Sequence, residues 1–343
     1  MGRIQEYFRR VVGAPDSNTA SAAVSSGTAS APAAAVPDDG APARRVPADP
    51  GDLTVPAAMA YTSGARGGEV RRRIESHGMS HVGKVRQTNE DHFVVASLQR
   101  SVQVRQTNLE DPAIFDRLCG PKAYLFAVAD GVGGRSDGQL ASGMAVETIV
   151  EYLGETVASY HGAGAIEERD FLEPLRHAVQ RAHDRLLSTF RLQGHGGPAT
   201  TLTIALLVWP RAFIVHVGDS RAYHRHDAEL RRLTRDQTIG ALMVDEHGMS
   251  EEQVQQAGLD NVLASALGAE DMTPAVEVIE LAPGDALLLC TDGLTRHVSE
   301  ERIAAVLHGA TDAEASCREL VELALEEGGR DNITAIVARM LPG

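Results

Sequence analysis

Seven apolar runs of six to ten residues, HFVVASL, AYLFAVA, TTLTIALLVW, AFIVHVG, AVEVIEL, DALLLC and NITAIVARM, constrain this chain more than any other feature. Each is rich in β-branched or aliphatic side chains and is bounded by Gly, Pro or Asp, as short strands are. Between them lie stretches of helical periodicity: GQLASGMAVETIVEYLGETV, FLEPLRHAVQRAHDRLLSTFRL, SEEQVQQAG, SEERIAAVLHG and DAEASCRELVELALEEG. The strands come in clusters, the two longest helices are neighbours in the middle, and another helical pair lies near the end. That order predicts sheets packed on each other with helices outside, rather than a βαβ alternation. No apolar run approaches the roughly 20 residues of a bilayer-crossing helix, so no membrane span is expected.

The ends of these runs carry the chemistry. AYLFAVA runs straight into Asp130 and then Gly131, Val132, Gly133 and Gly134. Asp219 follows AFIVHVG, Asp292 follows DALLLC by one residue, Asp331 precedes NITAIVARM, and Glu90 and Asp91 stand immediately before HFVVASL. An unpaired buried carboxylate costs several kcal/mol, so an acid closing an apolar strand is at a rim, hydrogen-bonded or bound to a cation. Alone, Asp130 reads as a turn residue capping the next helix. Five such sites suggest a common target.

If these ends converge, six carboxylates repel one another prohibitively without cations. The donors are hard oxygens, with no His or Cys placed like a zinc ligand, which predicts Mg²⁺ or Mn²⁺. Two such ions roughly 3.5 to 4 Å apart suit in-line attack on phosphorus. Arg86, four residues before Glu90, is placed to hold a phosphate.

Charge and composition narrow the class. Through Arg73 there are nine Lys/Arg against seven Asp/Glu, leaving 23 against 40 in the remainder. The acidic charge therefore belongs to the folded part, whose surface repels phosphate backbones, and nucleic acid is not an expected partner. Cys119, Cys290 and Cys317 show no C-x-x-C spacing, and Cys290 reads as a buried thiol. With no signal peptide evident, a reducing cytoplasm is the expected location.

Residues 1–13 carry Ile4, Tyr7, Phe8, Val11 and Val12 at helical spacing, which reads either as a frayed terminus or as a short amphipathic docking helix. Residues 14–68 are rich in Ala, Pro, Ser and Gly and read as a disordered linker. Residues 69–343, which carry the apolar runs and the acids, are expected to form the folded domain.

These landmarks also resemble a known family, the metal-dependent (PPM, type 2C) serine/threonine protein phosphatases in their bacterial form. The likeness runs from about Ile74 to Met340 through GKVRQTNED, LFAVADGVGG, GQLAS, ATTLTIALL, VHVGDSRAY, LTRDQT, LLLCTDGL and GGRDNITAIV. The resemblance implies an α+β fold: an α-β-β-α sandwich of two mainly antiparallel sheets flanked by helices, with a disordered N-terminal extension. It implies that Asp130 bridges two metals, that Gly131 offers its carbonyl to one, and that Asp91, Asp292 and Asp331 complete the inner shell. Glu90 would orient metal-bound water, Arg86 would clamp the substrate phosphate, and a third, weaker metal would use Asp219 with Asp292. The stretch Gln237 to Ala266 resembles a mobile flap. The implied reaction is direct attack of a hydroxide bound to two Mn²⁺ or Mg²⁺ ions on phosphoserine or phosphothreonine, without a phospho-enzyme. The implied partners are phosphorylated proteins, a cognate Ser/Thr kinase or its substrates, and the implied state is a monomer.

The chain departs from the family pattern at several points. Val132 stands where many eukaryotic members have a His proposed as the general acid, Gln237 where a His is usual, and Ala199 where Gly often precedes the paired Thr. Residues 99–121 lengthen the usual spacing and read as a hairpin and loop beside the cleft or as a neutral insertion. His216 reads as a satisfied core residue, His92 as part of a strand start, and His224 and His226 as a solvated hairpin. The competing reading is a catalytically silent phosphoprotein-binding pseudophosphatase, which lost metal acids would signal; none is missing. A third is a regulatory phosphatase whose N-terminal arm docks a signalling complex.

Overall fold

The computed structural model describes residues 74–100, 120–133, 136–157, 169–190 and 197–342. The readings for residues 1–13 and 14–68, for Cys119 and for most of the 99–121 stretch lie outside these residues.

The described chain runs β1 (Ile74–His81), β2 (Asp91–Arg100), β3 (Gly120–Val132), α1 (Ser136–Val157), α2 (Arg169–Phe190), β4 (Ala199–Thr200), β5 (Leu202–Val208), β6 (Arg211–Val217), β7 (Arg221–His226) and β8 (Glu229–Arg232). It continues through α3 (Ile239–His247), α4 (Glu251–Gln256), β9 (Ala275–Glu280), β10 (Ala286–Cys290), α5 (Asp292–Thr295), α6 (Glu300–Gly309), α7 (Ala313–Glu326) and β11 (Ile333–Met340). One sheet has the order β1-β11-β10-β7-β8; the other has β2-β3-β5-β6-β9, with β4 paired to β3. Every strand pair is antiparallel.

Strand periodicity explains the layering. Leu125, Ala127 and Ala129 of β3 pack against Ile149, Leu153, Leu175 and Val179 of α1 and α2. The intervening Phe126 and Val128 face Ile336, Ala338 and Leu289 of the other sheet. In β11 the alternate set, Ile333, Ala335 and Val337, packs on Leu307, Leu320 and Val321 of α6 and α7. Both faces of the central strands are covered, so they read as continuous apolar runs rather than as an apolar/polar alternation. The layers are helix, sheet, sheet, helix, as the sequence leads one to expect.

Side-chain caps start the later helices. Thr238, Ser250, Ser299 and Asp312 accept from backbone N–H groups of α3, α4, α6 and α7, and Ser250 with Gln253 makes a full capping box.

Two readings need correction or addition. The segment IESHGMSH forms β1, a strand its polar residues disguise: Ser76, His77 and Ser80 are buried, and Ser80 Oγ meets Thr334 Oγ1 at 2.8 Å. His224 and His226 do lie on the β7–β8 hairpin, but they are not simply solvated. His224 Nε2 and His226 Nδ1 each lie 2.8 Å from a carboxylate oxygen of Asp285, which is only 2% exposed.

Candidate active site

Asp91 opens β2 and Asp130 lies near the close of β3, and the antiparallel register sets them directly opposite each other. Antiparallel partners have Cα atoms about 4.5 to 5.5 Å apart, so the ladder itself brings two carboxylates to one rim. Asp292 and Asp331 arrive from the other sheet, at the ends of the neighbouring strands β10 and β11. Asp219 stands in the turn that carries the chain from β6 of one sheet to β7 of the other.

Asp91 and the backbone of Asp130 are held by polar neighbours. Asp91 Oδ2 accepts from Thr291 Oγ1 at 2.8 Å and Thr334 Oγ1 at 2.6 Å. The Asp130 N–H donates to Thr201 Oγ1 at 2.9 Å, and its carbonyl accepts from Thr201 N at 2.9 Å and Thr200 Oγ1 at 2.8 Å. Gly131 donates to the Glu90 carbonyl at 3.2 Å. It must be glycine because a Cβ there would lie 2.2 Å from the carbonyl oxygen of Gly138, where α1 abuts the strand end.

Three residues that tie the site together carry no assignment from the sequence. Asn332 Oδ1 accepts from Glu90 N at 2.8 Å, while its Nδ2 donates to the carbonyls of Val82 at 2.9 Å and Thr88 at 3.0 Å. It thereby fastens the loop bearing Arg86 and Glu90 to the start of β11. His297 Nδ1 donates to Gly293 O at 2.9 Å and its Nε2 accepts from Arg330 N at 3.4 Å, linking α5 to the loop before Asp331. Arg296 reaches into the acids: it pairs with Asp292, and lies 3.7 Å from Asp219 and 3.8 Å from Asp331. The spacing of Asp292 and Arg296, four residues apart on one helical turn, is the signal that could have flagged it.

Arg86 Nη2 bonds Asp331 Oδ2 at 2.8 Å with half of its side chain exposed. Burial, opposed by Arg86, raises the Glu90 carboxyl above its ordinary range. Desolvation pushes Asp91 and Asp219 up to about 7, with neighbouring carboxylates adding to the rise. The same causes carry Asp130 well above its usual value and raise Asp292. All eight residues named from the sequence are thus brought to one rim.

The residues fit a divalent cation. Buried Oδ1 atoms of Asp91 and Asp292 have no hydrogen-bond partner, and a cluster of this kind keeps its full negative charge only against cations. The donors are oxygens, as Mn²⁺ and Mg²⁺ require. Among the described residues the only set of three or more His, Cys, Asp or Glu side chains with ligand atoms all within 4.8 Å of one another is His224, His226 and Asp285. That set lies at the opposite end of β10, roughly 20 Å of strand away. Among the described residues the rim acids do not form so close a set.

Beside the acids lies a cleft of about 590 Å³, bounded by Asp219, Asp292 and Arg296 and, from the Gln237–Ala266 stretch, by Thr238, Ala241 and Val244. Gln237 accepts from Gly218 N at 3.1 Å and donates to Thr273 O at 3.0 Å, so this departure tethers the turn that carries Asp219. His216 is buried as expected, bonded to Thr203 Oγ1 and the Arg235 carbonyl.

The family model for protein phosphatase 2C matches residues 100–336. The chain belongs to the protein phosphatase 2C family. The serine/threonine protein phosphatase PstP of Mycobacterium tuberculosis (strain ATCC 25618 / H37Rv) is 33% identical over 217 residues, 63% of this chain but only 40% of that protein's length. A putative protein phosphatase 2C-type of Streptococcus pyogenes serotype M6 is 30% identical over 240 residues, 69% of this chain and 94% of that protein. The crystal structure of the catalytic domain of PstP in complex with two manganese ions superimposes with a TM-score of 0.60 at 29% identity, covering 78% of this chain and 99% of that one.

Proposed function

We propose that residues 69–343 form a divalent-metal-dependent protein phosphatase domain that hydrolyses phosphoserine and phosphothreonine on proteins and so opposes a Ser/Thr kinase. The observation that carries this reading is the convergence of Asp91, Asp130, Asp219, Asp292 and Asp331, from both sheets, beside an arginine with half its side chain exposed. The two manganese ions in the PstP catalytic domain support the same reading.

Asp91, Asp130, Asp292 and Asp331, with the Gly131 carbonyl, would hold two Mn²⁺ or Mg²⁺ ions, and Asp219 borders them. When bound, the ions supply Lewis acidity that activates water and neutralises phosphoryl oxygens. The chain's own groups do the rest. Arg86 is tied to Asp331 through Nη2 alone, which leaves donors to clamp and orient the substrate phosphate. Glu90, its carboxyl raised by burial, is placed to accept and release a proton beside the acids. Val132 cannot protonate the leaving alkoxide, so that proton comes from another group. Among the described residues the large apolar side chains left exposed are Val85, Val132 and Leu140. Val85 adjoins Arg86, Val132 adjoins Gly131, and Leu140 lies in the first turns of α1 near Gly138. An apolar rim of this kind suits a protein segment better than a small phosphate ester.

The test is hydrolysis of a phosphothreonine peptide by purified protein with EDTA, Mg²⁺ or Mn²⁺, beside Asp130→Asn. Metal-dependent turnover that falls at least a hundredfold in the variant is expected. Turnover unchanged by EDTA, or a fully active Asp130→Asn, would overturn the reading; folded protein that binds metal and phosphopeptide without turnover would favour a binding module.

A further inference from the structure

The rim acids do not all face the same way. Asp91 Oδ1 and Asp292 Oδ1 are buried and accept no hydrogen bond, and Asp130 lies directly across the ladder from Asp91. These oxygens define one side of the cluster. On the other side, Asp292 Oδ2, Asp219 Oδ2 and Asp331 Oδ2 all turn towards Arg296. The same Asp292 carboxylate therefore presents one oxygen with no donor and one already paired to a guanidinium.

We infer that Arg296 is a built-in counter-cation that reserves the Asp219 side of the cluster, limiting the number of divalent ions this chain holds tightly there. The inference rests on the metal-dependent reading of the site and concerns this chain's own residue within it. A guanidinium stays protonated at any pH the protein tolerates, and its planar fork suits several carboxylates at once. A divalent ion approaching between Asp219 and Asp292 must either displace that fork or share both carboxylates with a fixed positive charge, and either weakens it. On the Asp91 and Asp130 side no arginine contact intervenes among the described residues, and the oxygens without donors are available to an ion.

The arrangement is local in origin. Asp292 opens the four-residue α5 and Arg296 closes it, with Arg296 N bonded to Asp292 O at 2.9 Å. One helical turn fixes the guanidinium over the carboxylate it follows, and the turn itself is anchored to the Asp331 loop through His297.

Equilibrium dialysis with Mn²⁺ and metal analysis, on the full chain, reads this directly. In Arg296→Gln the weakest Mn²⁺-binding step is expected to tighten at least tenfold over wild type, while Arg296→Lys, which keeps the charge, stays within about threefold. Adding Asp219→Asn to Arg296→Gln should abolish the gain. Identical Mn²⁺ isotherms for wild type and a folded Arg296→Gln, or a gain that survives Asp219→Asn, would overturn the inference while leaving the phosphatase reading intact. Should Arg296→Gln fail to fold, Arg296→Met carries the same comparison. A wild-type protein that binds no Mn²⁺ would remove the underlying metal reading instead.

Discussion

Gly293, between Asp292 and Leu294 in α5, offers a sharp test of how the site is assembled. A Cβ placed there would lie 1.9 Å from the carbonyl oxygen of Asn332 and 2.9 Å from its carbonyl carbon. Ordinary contact begins near 3.4 Å, so Gly293→Ala requires a separation of on the order of 1 to 1.5 Å between α5 and the start of β11. β11 cannot yield easily. Asn332 is fixed by three side-chain hydrogen bonds, and Thr334 N and O both bond Thr291 at the end of β10. The movement must come from α5, and it carries Asp292 away from Asp331. Metal ligands tolerate about 0.2 Å, and a 1 Å misplacement can cost about a hundredfold in rate. We expect Gly293→Ala to lose about a hundredfold in kcat/KM on a phosphothreonine peptide and to bind Mn²⁺ at least tenfold more weakly. Overpacking should also cost about 1 to 3 kcal/mol of stability. The matched control is Gly154→Ala in α1, where a Cβ meets nothing within 4 Å; it should leave turnover unchanged and gain up to about 1 kcal/mol from helix propensity. A Gly293→Ala enzyme within threefold of wild type in both turnover and Mn²⁺ affinity would refute the argument that this backbone approach sets the spacing of the acids.

Two further outcomes follow from the same geometry. Thr334→Val removes a 2.6 Å donor to Asp91 Oδ2 and leaves Thr291 as its remaining one; calorimetric Mn²⁺ titration should show affinity reduced by roughly 10- to 100-fold, and unaltered affinity would show that the threonine does not orient the carboxylate. His216 is buried with its pKa lowered to about 4 from 6.5, chiefly by desolvation. The unfolded chain takes up a proton at this site as pH falls below about 6.5 and the folded chain does not, so the contribution is full above pH 6.5 and is lost as pH drops towards 4. The loss amounts to about 3 kcal/mol. Urea unfolding at several pH values should show a shallower acid decline in His216→Gln than in wild type, and parallel curves would count against a neutral buried imidazole.

The parts of this protein that could be read from sequence are those in which one residue type does one job. Both-face burial makes β3, β5 and β10 continuous apolar runs, and an acid at the end of such a run has few explanations, so Asp91, Asp130, Asp219, Asp292 and Asp331 stood out before any fold was known. Helix starts at Ser250, Ser299 and Asp312 were legible for the same reason, because a capping side chain is a local requirement. β1 was not, since its Ser76, His77 and Ser80 are polar yet buried, Ser80 meeting Thr334 and Asn89 only in the folded sheet while both ring nitrogens of His77 go without a partner. Asn332 and Arg296 were missed because their importance lies in partners far along the chain: Val82, Thr88 and Glu90 for one, Asp219 and Asp331 for the other. His224 and His226 misled for the converse reason. A hairpin position suggests solvent, and the buried Asp285 that captures both side chains comes from a distant turn.

The acids reach the rim from two separate sheets, Asp91 and Asp130 from one, Asp292 and Asp331 from the other, with Asp219 on the turn between them. Between the layers lies an apolar centre of Phe126, Val128, Leu289 and Ile336, and the mutual repulsion of the carboxylates acts at this one edge. An ion gripped by both sets of carboxylates would work there as a clasp, closing the sandwich at the place where its own charges push it apart. Catalysis and cohesion would then draw on the same bonds, and a change that loosened the metal would also slacken the joint between the sheets.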